Sequence, residues 1–336
     1  MGHYSAAVIG LGRIGLTYDF DPKREKPSSH TLAYQQHPQF DLAAAADTRR
    51  EQEQALKQMV PRTVFYQNME KLLQECSIDV ISICTPPAQH LSEIQHILKT
   101  AKLKIIFCEK PLVGSVAEAI VLKQQIGFGG PLLIPNLSRR WNSGMRRISE
   151  QIENGRYGEL QTMHIRYTRG IFNTGAHFFD LIRWWAGTIG QVQVLEKVRT
   201  SAERDGDPSF TFTFQTDKQV SGFAQAFDDE QYYLFEMDLY FSQGKIEIRN
   251  SGDDVFYYEV KEHHLFSGFK NLYLERQEQK LLSEANLGNA ISHLAKVLDG
   301  IEQPVCTVDD GIYPLYVAEA LLRSYNNHCS KERVDA

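Results

Sequence analysis

The stretch Tyr4-Ser-Ala-Ala-Val-Ile-Gly10-Leu-Gly12-Arg13-Ile14-Gly15 decides the fold class of this 336-residue chain. A run of strand-forming, mostly apolar residues leads into Gly-x-Gly-x-x-Gly, and each glycine has a separate physical task. Gly10 permits a tight turn at the strand end, Gly12 lets the backbone approach a pyrophosphate, and Gly15 lets a helix pack closely on the strand. Arg13 and Ile14 lie in the same loop and share its position. A diphosphate at a helix start meets free N–H groups and the positive end of the helix dipole. The stretch predicts a dinucleotide site, provided that the chain around it alternates strand with helix.

It does so as far as residue 135. Further apolar runs at 40–47, 79–86, 104–111 and 131–137 are separated by helix-like segments at 50–60, 88–101 and 115–127. Such alternation means parallel strands joined by right-handed crossovers, and near-continuous apolar strands mean that helices cover both faces. The expected fold over 1–135 is a doubly wound Rossmann domain of α/β class. Beyond it, period-two alternation at 160–169, 191–199, 209–216, 219–227, 232–242, 244–250 and 254–260, with tight turns at Asp217-Lys218 and Gln243-Gly244, predicts a large, mostly antiparallel open sheet. Helices are expected at 141–155, 175–186, 270–300 and 310–327. Residues 136–336 thus read as an α+β domain for substrate binding and oligomerisation, with a C-terminal helix able to pack back on the first domain.

Bulk properties narrow the class. A net charge of −6 with a pI near 6.0 argues against nucleic acid as a partner. No apolar run approaches the length of a membrane span and no secretory segment is visible, so a cytoplasmic enzyme is expected. Five scattered cysteines without CxxC spacing suit reduced thiols. Neither His263-His264 nor His177 with Asp180 completes a ligand set, so no metal is expected.

The chemistry-bearing residues gather at strand ends. Asp47 closes the second strand, where a carboxylate accepts from the adenosine ribose hydroxyls and repels an added 2′-phosphate. NAD is therefore favoured, while Arg49 and Arg50 keep NADP possible. Asp47 lies further from Gly15 than the roughly 20 residues usual for this fingerprint, because Leu16–Ser29 (LTYDFDPKREKPSS) reads as an inserted loop before a helix near His30 to Pro38. Cys84-Thr85-Pro86-Pro87 and Cys108-Glu109-Lys110-Pro111 end two strands at the carboxyl edge, where open α/β sheets bind ligands. Asn136, Arg139 and Arg140 follow the last Rossmann strand and are substrate candidates, although such basic pairs are commonly solvated or ion-paired. On a helix over 174–186, Asn173, His177, Asp180 and Trp184 share one face among Phe178, Phe179, Leu181 and Ile182. That face presents His177 as an acid/base group or holds a self-satisfied His177–Asp180 pair; both readings stand.

Together Gly10/Gly12/Gly15, Asp47, Thr85-Pro86 with His90, Glu109-Lys110-Pro111 and Gly175-Ala-His177-Phe-Phe-Asp180 resemble the Gfo/Idh/MocA family over essentially the whole chain. The resemblance implies a Rossmann domain followed by an open-sheet domain that builds homodimers or homotetramers. It implies NAD(P)-dependent hydride transfer between nicotinamide and a carbinol or keto carbon of a sugar, cyclitol or nucleotide-linked sugar. Lys110 and His177 would be the catalytic pair, Glu109 and Lys110 would touch the nicotinamide side, and Thr85, Pro86 and His90 would line the cofactor. Asn173, Asp180, Asn136 and Arg140 would meet the substrate. Asn173 stands where many members carry aspartate, and the loop from Tyr167 to Asn173 is short; with the insert, this resembles a branch linked to sugar modification in surface-polysaccharide pathways. An amide cannot take a proton, which keeps open an alternative: a non-catalytic, dinucleotide-sensing regulator of the same fold.

Overall fold

Ala6, Ala7 and Val8 are completely buried in the strand Tyr4–Ile9 (β1), as a strand covered on both faces requires. In the computed structural model, which describes residues 2–127 and 129–335, β1 is followed by α1 (His30–Gln36), β2 (Phe40–Ala46), α2 (Gln52–Met59), β3 (Val64–Tyr66) and α3 (Met69–Glu75). Then come β4 (Val80–Ile83), α4 (Pro87–Thr100), β5 (Ile105–Cys108), α5 (Val116–Gln125) and β6 (Leu132–Pro135). The strands are all parallel, in the order β3-β2-β1-β4-β5-β6. The order reverses between β1 and β4, and at such a switch point a crevice opens beyond the carboxyl ends.

The insert expected over Leu16–Ser29 separates the glycines from the helix that starts at His30. Leu16 N–H donates to the Gly12 carbonyl at 2.9 Å, a short turn runs to Phe20, and the chain returns at His30, whose N–H donates to the Ile14 carbonyl at 3.0 Å. Buried Asp19 closes the loop by accepting from Ser28 N–H (2.8 Å), Ser29 N–H (2.7 Å) and Ser29 Oγ (2.5 Å). Ser29 also caps α1, accepting from Leu32 N–H, so the insert leaves and rejoins the Rossmann frame without breaking it.

The remaining elements are α6 (Ser143–Glu153), β7 (Leu160–Tyr167), α7 (Gly175–Ala186), β8 (Ile189–Val198), β9 (Ser209–Thr216), β10 (Ser221–Ala226) and β11 (Phe235–Phe241). After them run β12 (Gly244–Arg249), β13 (Asp254–Glu262), β14 (Lys270–Glu278), α8 (Asn286–Leu298), α9 (Val308–Asn326) and β15 (Glu332–Arg333). The second sheet has the order β14-β13-β12-β11-β7-β10-β9-β8-β15 and is antiparallel except where β7 meets β10. Phe178 and Phe179 of α7 bury themselves on Tyr167 and Phe212, with Tyr167–Phe178 centroids 4.9 Å and Phe178–Phe179 centroids 4.7 Å apart, both near edge-on. Such pairs add about 0.5–1.5 kcal/mol each beyond the area they bury.

Contacts group residues up to Trp141 with Ala285–Ile312 as one unit, and Asn142–Glu284 with the chain from Tyr313 onward as another. The sequence pattern changes after residue 135, a few residues earlier, and although a C-terminal helix able to pack back on the first domain is expected, nothing in the pattern singles out the segment 285–312 for that place. Other differences have clear physical reasons. The helical block expected over 270–300 begins instead as strand β14, paired with β13 from Val255↔Glu278 to Glu262↔Lys270. Its Lys, Leu, Glu and Arg are good helix formers, but the ladder outweighs propensity. β3 and α3 escaped notice because three strand residues show no period. The hairpin between β11 and β12 turns at Ser242-Gln243, since Gly244 already pairs with Phe241. Among the described residues, no helix is long and apolar enough to cross a membrane.

Candidate active site

In the first unit a cavity of about 690 Å³ opens at the carboxyl edge of the parallel sheet. Gly10, Gly12, Arg13, Ile14, Asp47, Thr85 and Pro86 line it, as do Tyr18, Gln67, Asn68, Met69 and Glu93, which sequence reasoning missed. Tyr18 belongs to the insert, and Asn68 caps a helix whose short strand partner went unseen. Gly15, His90, Glu109 and Lys110 are not part of this wall.

The three glycines are required for different reasons. Gly10 has φ +88°, and a Cβ there would lie 2.7 Å from the Cys84 carbonyl carbon. A Cβ on Gly15 would lie 1.9 Å from the Gly10 carbonyl oxygen. At Gly12 a Cβ would meet nothing within 4 Å. The folded chain itself therefore needs glycine at 10 and 15, whereas the absent side chain at 12 leaves open space on the cavity wall. That is the cradle a pyrophosphate backbone approach demands, and the residues present fit a dinucleotide.

Asp47 is buried at the end of β2, with Oδ2 accepting from Leu11 N–H at 2.8 Å. Arg49 grips the same carboxylate, Nη2 to Oδ2 at 2.9 Å and Nε to Oδ1 at 3.0 Å, with its own N–H to Oδ1 at 2.9 Å. Burial pushes the Asp47 carboxyl up, but the Arg49 and Leu11 hydrogen bonds outweigh it and hold the group below the usual carboxylate range. The carboxylate faces the cavity with its charge partly answered by a half-exposed guanidinium.

Two loops meet beside it. His90 is buried and spans them, Nε2 at 2.8 Å from the Thr85 carbonyl and Nδ1 at 2.9 Å from the Pro111 carbonyl. It braces the loop after β4 to the loop after β5. Thr85 Oγ1 donates to Glu93 Oε2 at 2.5 Å. Glu109 Oε1 receives His30 Nε2 at 2.9 Å and Asn136 Nδ2 at 2.6 Å, while Oε2 receives Lys110 N–H at 3.3 Å. Burial raises this carboxyl, yet the His30 and Asn136 hydrogen bonds and the charges around it bring it below its ordinary value. Asn136 in turn accepts from Trp141 Nε1 at 2.7 Å. Arg140 is buried, paired with Asp310 at 3.1 Å and donating to the Val305 carbonyl at 3.0 Å.

In the second unit His177 is half-buried and Asp180 buried on α7. Asn173 differs from expectation: it is exposed and lies in a π-type turn, Gly170–Thr174, before the helix starts. Helical spacing therefore aligns His177, Asp180 and Trp184 but not Asn173. Asp207 builds that turn, accepting from Phe172 N–H at 2.8 Å and Asn173 N–H at 2.9 Å, and Gly170 (φ +73°) makes room for its carboxylate. Only the turn-forming Gly206-Asp207-Pro208 hinted at it in the sequence.

Comparison with known proteins bears on the same residues. Residues 4–126, which carry the whole cavity wall, match the sequence profile of the Gfo/Idh/MocA oxidoreductase family, NAD-binding Rossmann fold. Myo-inositol 2-dehydrogenase of Thermotoga maritima is 23% identical over 342 aligned residues, spanning 94% of this chain and 95% of that protein. Over residues 4–126 the chain is similar to the Gfo/Idh/MocA oxidoreductases. An oxidoreductase from Agrobacterium radiobacter, solved in complex with NAD+, L-tartaric acid and magnesium, shares the fold with a TM-score of 0.79 at 13% identity, covering 99% of this chain and 98% of that one. So does myo-inositol 2-dehydrogenase from Lactobacillus plantarum, with a TM-score of 0.74 at 19% identity and coverage of 99% and 100%. The matched residues lie within the first unit, which thus carries the NAD-binding Rossmann fold.

Proposed function

We propose that this protein is a dehydrogenase or reductase that moves hydride between NAD and a CH–OH or keto carbon of a cyclitol, sugar or nucleotide-linked sugar. The observation that carries the reading is the cavity at the switch point, opened by Gly12, closed by Asp47 and followed at the next strand by Glu109-Lys110. NAD, when bound, supplies the nicotinamide carbon that takes or gives hydride. The Lys110 ammonium holds the substrate oxygen and stabilises the negative charge that develops on it. His177 carries the hydroxyl proton, with Asp180 orienting its ring. Asn173, an amide, orients a hydroxyl without taking its proton. The Asp310 pairing of Arg140 and the placement of Asn136 between Trp141 and Glu109 support holding roles for these two. The named relatives support the substrate class: two of those compared above are inositol dehydrogenases. Family resemblance further supports a homodimer or homotetramer built on the nine-stranded sheet, which light scattering tests.

A panel of cyclitols, aldoses and nucleotide sugars, offered with NAD+ or NADP+ and their ketones with the reduced forms, tests the function through nicotinamide absorbance. Turnover with at least one polyol, abolished in Lys110→Ala, is expected. Tight dinucleotide binding without turnover on any of them refutes the reading and favours a dinucleotide sensor.

A further inference from the structure

A chain of buried side chains holds Glu109 from behind. Tyr34, Ser82 and His30 are each completely buried. The Tyr34 hydroxyl lies 2.9 Å from Ser82 Oγ, Ser82 Oγ lies 3.0 Å from His30 Nδ1, and His30 Nε2 lies 2.9 Å from Glu109 Oε1. His30 and Tyr34 sit one helical turn apart on α1, Ser82 lies within β4, and Glu109 follows β5, so three elements converge on one carboxylate. Ser82 is the single polar residue of β4, Val80-Ile81-Ser82-Ile83. A hydroxyl in a strand core is costly unless bonded, and this one is bonded on both sides. The Phe107 ring, its centroid 5.1 Å away, packs against the imidazole.

The chain has a direction. An ionised carboxylate only accepts, so His30 Nε2–H donates to Glu109; with the imidazole neutral, Nδ1 then accepts from Ser82, which accepts from Tyr34. All donors point toward Glu109. The far end is Tyr34, whose phenol burial pushes far above its ordinary value. A chain closed by such a group does not pass protons to solvent; it orients what stands at its open end.

We infer that His30 is a positioning residue of the NAD reaction, fixing the Glu109 carboxylate in one orientation beside Lys110. The inference rests on the proposal that Glu109-Lys110 stands at the reacting carbon. A histidine that served only the core would affect stability and leave chemistry alone. One that positions Glu109 affects kcat more than KM, and it changes the pH profile, because a carboxylate deprived of a donor becomes easier to protonate. The titratable groups around Glu109 in this unit are few. Cys84 and Cys108 are held as neutral thiols by burial first, then by Glu109 itself and by Glu93, Tyr34 stays neutral, and Ser82 and Asn136 carry no charge, which leaves Lys110, His30 and the more distant Glu93 among the described residues.

The test uses the full chain with NAD+ and a substrate from the panel, comparing His30→Leu, His30→Gln, Ser82→Ala and Lys110→Ala. His30→Leu is expected to lower kcat by about 10²-fold while substrate KM and the NADH Kd, read by fluorescence titration, stay within about threefold. Its acid limb moves to higher pH. His30→Gln, whose amide can still donate to Glu109, recovers about tenfold of the loss, and Ser82→Ala, which removes only the Nδ1 partner, lowers kcat by a few-fold. Should His30→Leu fail to fold, His30→Gln and Ser82→Ala decide alone: both must lower kcat without weakening NADH binding. Wild-type kcat and pH profile in the folded His30 and Ser82 variants, beside an inactive Lys110→Ala, overturns the inference and spares the proposed function. Wild-type turnover in Lys110→Ala overturns both.

Discussion

Gly12→Ala separates what the folded chain needs from what the dinucleotide needs. Gly12 is not in the left-handed region, and a Cβ there meets nothing within 4 Å. Alanine therefore fits the fold, and its smaller unfolded-state entropy adds about 0.4–1 kcal/mol of stability. Gly15→Ala is the opposite case. Its Cβ would stand 1.9 Å from a backbone oxygen, where even 3.0 Å is closer than real Cβ atoms come, so the glycine loop must open by about an ångström. Overpacking of that kind costs about 1–3 kcal/mol, and at about 2–4 °C per kcal/mol for a domain of this size the Tm falls by several degrees. Binding should rank the two differently from stability. The methyl at 12 enters the space a pyrophosphate would occupy against the backbone, and a loss of about 1.4 kcal/mol there weakens NADH binding about tenfold. Thermal denaturation without dinucleotide, with and without saturating NADH, and a fluorescence titration measure both. A Gly12→Ala protein that binds NADH like the wild type refutes the cradle, and one that melts below Gly15→Ala refutes the steric reasoning.

Three further outcomes are expected. Lys110→Ala should abolish turnover with dinucleotide binding intact, His177→Ala should cut kcat by about 10²-fold or more, and Asn173→Ala should act mainly on KM; full kcat in the His177 variant with loss in the Asn173 variant would reverse their roles. With Asp47 proposed to accept from the ribose hydroxyls and Arg49 gripping its carboxylate bidentately, NAD(H) should bind more tightly than NADP(H), and Arg49→Ala should widen the gap by removing a positive charge that favours a phosphate; competitive titration with both cofactors checks this, and unchanged NADP(H) affinity in the variant speaks against it. Asp299 is held down to about 2 by Gly2 N–H, Tyr4 hydroxyl and Gln39 amide bonds. A depressed carboxyl contributes stability that is present above its unfolded value of about 4 and is lost as pH falls through the folded one. The Tm gap between wild type and Asp299→Asn should therefore be full near neutrality and close between about pH 4 and about pH 2; a gap constant with pH contradicts the linkage.

What the sequence determined by itself is whatever is written locally. Gly10, Gly12 and Gly15 after an apolar strand, Asp47 at the next strand's end, and the polar stops Thr85-Pro86 and Glu109-Lys110 all express demands made on a few consecutive residues: a turn, a close approach, a side chain at a sheet edge. Strand and helix alternation extended these to the parallel sheet, and period two to the antiparallel one. The tertiary structure alone decided the rest. Lys270–Glu278 became a strand because β13 offered it a ladder, against its own helical propensity. Asn173 left the helix face because Asp207, distant in sequence, holds the backbone in a wider turn. Arg49 masks Asp47, and Arg140, nominated for a ligand, is ion-paired to Asp310. His30 acquires its place behind Glu109 only when α1, β4 and β5 pack together. The physical reason is common to these cases: hydrogen bonds and ion pairs between groups far apart in the chain depend on which surfaces meet, and no local pattern of residue types encodes that meeting.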